Sequence, residues 1–177
     1  MKNASIVSFL LLMCACSRGE PSSSSRYSFN RSSVLKLAEA GKIQEQLPYE
    51  SISLSISGSA IEDNEASLDI SLSRDGQATC EGYLPGRHVS GKYRGEVHLL
   101  DFARICELLE QLRFAELEPR YETGWTHMRT YVLRVRKADA TVREVSDYGE
   151  AGPIELWAMR AAIEAVASRI EWESVPG

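Results

Sequence analysis

Cysteine and histidine are the side chains best suited to act as nucleophile or metal ligand, and this chain has four of the first and three of the second. His88, His98 and His127 are scattered, and none has a second histidine or cysteine three or four residues away. Zinc centres draw on closely spaced ligands, so the spacing gives no support to a metal. The chain has no Gly-x-Ser-x-Gly elbow and no phosphate-cradling glycine loop ending in Gly-Lys-Ser or Gly-Lys-Thr. Two other groupings stand out. Asp147-Tyr148-Gly149 with Glu150 places a carboxylate and a phenol together, either facing a ligand or serving a turn in which Asp147 bonds local backbone N–H groups. Trp125-Thr126-His127-Met128 follows Gly124, and an indole there is either an exposed binding anchor or a lid folded over a sheet edge. Arg87, His88, Lys92 and Arg94 around Tyr93 form a small basic hairpin, fit for an anionic surface or simply for guarding a strand against aggregation.

The elements that must hold these residues follow from periodicity. Ile52, Leu54 and Ile56 alternate with Ser51, Ser53, Ser55 and Ser57, which predicts a half-buried strand. A polar turn around Ile61 to Glu65 leads to a second alternating set, Leu68, Ile70 and Leu72. Asp75-Gly76 supplies a hairpin turn to a third strand through Thr79, Cys80 and Tyr83. Pro85-Gly86 turns the chain into a fourth strand, from His88 to about Glu96. Leu99, Phe102, Ile105, Cys106, Leu109 and Leu112 then fall on one helical stripe, with Phe114 and Leu117 packing beyond its end. Val132, Leu133 and Val135 pair with Val142 and Val145 across Lys137 to Ala140. A last helix opens with Pro153 in the first helical position and Glu155 at the positive end of the dipole, its core stripe being Leu156, Met159, Ile163, Val166 and Ile170. An earlier helix starts at Asn30 or Ser32, carries Val34, Leu35, Ala38 and Ile43, and ends by Pro48. The expected fold is α+β: an antiparallel meander and a second hairpin, with two helices packed on one face of the sheet.

The N-terminus carries an address. Lys2 precedes the apolar run Ile6 to Met13, which is too short to span a bilayer and has the form of a secretory signal. The string Met13-Cys14-Ala15-Cys16-Ser17 resembles a bacterial lipobox, with Met13 where leucine is usual and Cys16 as the residue that receives lipid. That resemblance implies a signal peptide over residues 1–15 and an anchor of several acyl chains, and Ser17 resembles the outer-membrane sorting pattern. Residues 16–29 then form a Ser-rich tether and residues 30–177 a single domain. At 44% hydrophobic and 25% charged the composition is globular, and a net charge of -5 speaks against nucleic acid as a partner. Export would place Cys80 and Cys106 in an oxidising compartment, where a disulfide and free core thiols are both open alternatives.

Several strings in order resemble an uncharacterised bacterial exported family, domain of unknown function number 6438. They are Ile52-Ser53-Leu54-Ser55, Leu72 through Gly82, Val89 to Tyr93, Phe114 with Leu117, Asp147-Tyr148-Gly149, Pro153, Glu155-Leu156 and Glu171-Trp172. The likeness runs from about residue 49 to 173. Two family strings are missing: a Gly-x-Cys-Pro-x-Tyr between Gly58 and Asp69, and an Asp-x-Pro where His127-Met128-Arg129 stands. The resemblance implies fold and address, and no reaction or cofactor.

The sequence therefore leads to the expectation of a lipid-anchored envelope protein, tied to the membrane by Cys16 and binding or supporting an envelope protein or polymer without doing chemistry. Trp125, His127, Asp147 and Tyr148 are its candidate contacts. The alternatives are a periplasmic enzyme with an unfamiliar site and an inhibitor acting through the loop from Gly124 to Met128.

Overall fold

A computed structural model describes residues 43–58, 67–84 and 90–176. The predicted signal peptide, Cys16, the tether, the helix from Asn30 or Ser32 as far as residue 42, the turns at Ile61 to Glu65 and at Pro85-Gly86, and His88 lie outside the described residues. A four-residue helix α1 (Ile43–Gln46) leads into β1 (Tyr49–Ser57). Then follow β2 (Leu68–Ser73), β3 (Gln77–Tyr83), β4 (Ser90–Glu96), α2 (Leu99–Gln111), a 3₁₀ turn over Phe114–Glu116, β5 (Arg120–Glu122), β6 (Thr130–Lys137), β7 (Val142–Tyr148), α3 (Ile154–Ala167) and β8 (Glu173–Ser174). The fold is α+β.

The predicted meander and second hairpin form one sheet, because β6 pairs antiparallel with β1. Strand order is β5-β7-β6-β1-β2-β3-β4-β8, and only β5, lying parallel to β7, breaks the antiparallel pattern. In register, Ile52, Leu54 and Ile56 stand opposite Leu72, Ile70 and Leu68, and all six are buried. Residues directly opposite in a ladder share a face, so this is a single apolar face, with Val135, Leu133 and Tyr131 continuing it on β6. Phe102, Ile105, Cys106 and Leu109 of α2 and Leu156, Met159, Ile163 and Val166 of α3 close over it in one cluster. Each fully buried aliphatic side chain contributes about 2 kcal/mol. The alternate residues, serines on β1 above all, face away from the helices.

The structure corrects the sequence reading at several points. Strands β5 and β8 were not expected: they have three and two residues, too few to show alternation. Pro153 is the cap of α3 and not its first residue, since its ψ of 163° is extended. Helix α3 ends at Ala167, and Ile170 packs on the core from beyond it. On β7 the core-facing positions are Arg143, Val145 and Asp147, so Val142 points outward and is half exposed. The Arg143 guanidinium donates to the Leu117 carbonyl, while its Nε stays buried without a hydrogen bond. His98 caps α2, its Nδ1 accepting from the Leu100 N–H at 3.3 Å.

Candidate functional site

Trp125, His127, Asp147 and Tyr148 come together at one end of the sheet. There Ser57, Thr130 and Tyr148 lie side by side on β1, β6 and β7. Two loops meet at this end: residues 123–129 between β5 and β6, and residues 149–153 between β7 and α3. Gly149, at φ 71°, lets them interlock, because a Cβ there would overlap the Thr123 methyl and crowd Met128. Its N–H donates to the Arg129 carbonyl at 2.9 Å, and the Thr123 N–H donates to the Tyr148 carbonyl at 3.3 Å. The Tyr148 hydroxyl accepts the Met128 N–H at 3.3 Å.

The loop that results is braced and protrudes. His127 holds a left-handed φ of 60°, a strained setting for a residue with a side chain that persists only where surroundings enforce it. At the tip Trp125 is 74% exposed, so it is an exposed indole rather than a lid. Ile154 and Trp157, on the first turn of α3, are also largely exposed.

Asp147 and Tyr148 point to opposite faces, as neighbours on a strand must. Asp147 is buried, and its carboxylate accepts the Gly152 N–H at 3.0 Å, pinning the second loop. Sequence reasoning missed the partner that completes this brace. Arg160, on the buried side of α3, lies 3.8 Å above the Tyr131 ring centre and donates to Glu150 Oε1 at 2.8 Å. Glu150 is itself left-handed, at φ 58°. Burial raises the Tyr131 hydroxyl's pKa, and the neighbouring Arg160 charge opposes that rise. The sign was present in the sequence: Arg160 adjoins the stripe of Leu156, Met159 and Ile163, where a charge needs a partner.

Cys80 and Cys106, left open between pairing and core packing, are separate buried free thiols. Burial pushes Cys80 up to about 11 and Cys106 to about 12. Neither is a thiolate at neutral pH, and the thiolate is the nucleophilic form. The Tyr49 hydroxyl beside Cys106 is bonded to the Glu110 carboxylate and is also raised by burial. Among the described residues no three His, Cys, Asp or Glu side chains group as metal ligands. Nor is any helix there long and apolar enough to cross a membrane.

Residues 66–167 match the family described as Domain of unknown function (DUF6438). The chain belongs to this family. The matched stretch runs through β2 to the end of α3 and holds the whole braced corner, Trp125, Asp147, Tyr148 and Arg160 included. No curated protein matches the chain.

Proposed function

We propose that the chain is an exported, lipid-anchored binding module of the cell envelope that meets its partner through the Trp125 loop and does no chemistry itself. One observation carries the binding half: a tryptophan 74% exposed on a loop held by interlocking hydrogen bonds. A large aromatic kept in water gains most when a partner buries it, and a rigid loop loses little entropy on binding. The anchoring half is supported by the string ending at Cys16, with outer-membrane sorting supported by Ser17.

A photo-crosslinking residue placed at Trp125 in the full chain, expressed in a bacterial envelope, tests the first half. Crosslinks should form there and not at Val142, which is exposed and lies towards the far end of β7. Equal labelling at both positions refutes the reading. For the anchor, labelled fatty acid should enter the wild type and not Cys16→Ser, and unchanged labelling ends that claim. The same protruding loop favours a second reading, an inhibitor whose Trp125 fills a partner's cleft. In that case the crosslinked partner is an enzyme that Trp125→Ala no longer inhibits.

A further inference from the structure

The sheet face turned away from the helices has an unusual surface. Ser53, Ser71 and Thr79 lie side by side on β1, β2 and β3, and a second row, Ser57, Thr130 and Tyr148, crosses β1, β6 and β7. Strand geometry spaces such hydroxyls about 4.8 Å apart across the sheet and about 6.8 Å along it. Between Arg134 on one side and Lys92 and Arg94 on the other, Ser53, Ser55, Ser71 and Thr79 floor an open trough of about 430 Å³, with the second row beyond it. Tyr148 stands on the same face at the loop end, and the loop carrying Trp125 rises beside it.

We propose that this face, together with Tyr148 and Trp125, binds an uncharged glycan chain. The proposal rests on the binding-module reading above and names the chemistry of the partner. Charge selects it first. Three cations line the trough, Arg134, Lys92 and Arg94; Arg134 is matched to Glu144 at 2.8 Å and Lys92 to Glu81 at 3.2 Å, and Asp69 stands directly across from Glu81 in the floor. A polyanion would therefore meet as many carboxylates, Asp69, Glu81 and Glu144, as cations, with no surplus of positive charge to hold it, at a net chain charge of -5. Hydrogen bonding selects it next. An apolar peptide face would strip water from serine and threonine hydroxyls without replacing their bonds, at a cost of about 1–3 kcal/mol for each group. Sugar hydroxyls donate and accept, as the floor does, and so can match it in either sense. Beyond the trough, at the loop end, the flat phenol of Tyr148 and the exposed indole of Trp125 complement the C–H face of a pyranose ring.

Calorimetric titration of the full chain in detergent with chitotetraose, cellotetraose and maltotetraose tests this, with tetragalacturonate as the anionic control. At least one neutral tetrasaccharide should bind saturably and tetragalacturonate should not. Trp125→Ala, and separately Ser71→Val, should each weaken binding about tenfold with circular dichroism unchanged, and Gln111→Ala, exposed on α2 across the sheet, should leave it as it was. The inference is overturned if all three neutral sugars fail to bind, if tetragalacturonate binds as well, or if both weakening substitutions are silent. Crosslinking at Trp125 to a protein, with no sugar bound, refutes the glycan while leaving the binding-module reading standing.

Discussion

Replacing Arg160 by methionine is the sharpest probe of how the corner is held. Methionine keeps the unbranched stem and removes the charge, so two interactions go at once. The first is the bond to Glu150 at 2.8 Å, between side chains 10% and 53% exposed. Because one partner is half in water, the pair is worth about 1–2 kcal/mol, between a surface ion pair and a buried one. The second is the guanidinium over Tyr131 at 3.8 Å, which is largely desolvated and worth about 1–2 kcal/mol. Set against these is the relief from desolvating a cation, which methionine avoids. The net loss should be about 2–3 kcal/mol, or a fall in Tm of about 6–15 °C for a domain of this size. Urea unfolding followed by circular dichroism measures it, with the midpoint dropping and the slope unchanged. A double-mutant cycle with Glu150→Gln should show a coupling of about 1 kcal/mol. A loss for Arg160→Met below about 0.5 kcal/mol, or strict additivity with Glu150→Gln, would refute the view that Arg160 braces the corner.

Four further outcomes follow from packing and burial. Gly82, at φ 110°, sits where a Cβ would overlap the Ser67 carbonyl oxygen, so Gly82→Ala should cost more than about 3 kcal/mol in urea unfolding. Gly124→Ala, which would meet nothing within 4 Å, should be close to neutral by the same measure. Because Cys80 and Cys106 are buried thiols, a thiol reagent should label them only after denaturant is added, and fast labelling at either position in the native chain, read by peptide mapping, would contradict their placement. Their folded values stand above the ordinary 9.0, at about 11 and 12, so the fold favours the protonated form. The stability these thiols contribute should be constant below about pH 9 and fall as pH climbs towards 11–12, with a shallower fall in Cys80→Ala/Cys106→Ala. Urea midpoints across that range decide it.

Much of the domain was legible because its signals are local. Alternation of Ile52, Leu54 and Ile56 with serines names both faces of β1, and the spacing of Leu156, Met159 and Ile163 names the core side of α3. The candidate contacts were legible as residue types: an indole after a glycine, and a carboxylate and phenol before another. Their roles were not. How the Trp125 loop is held depends on Gly149, Met128 and Tyr148 meeting across two loops, and whether Asp147 is free depends on the Gly152 N–H that it accepts. Arg160 was passed over because its partners, Tyr131 and Glu150, come from β6 and the loop after β7.

The sequence alone determined the α+β class, the alternation of apolar and polar residues along β1 and β2, and the two core helices, since each depends on side chains two to four positions apart. Only the tertiary structure decided that the second hairpin docks on β1, that β5 and β8 extend the sheet, and that a hydroxyl-lined face ends at Tyr148 and Trp125. Those are contacts between segments far apart in the chain, and no local spacing records which strand lies beside which.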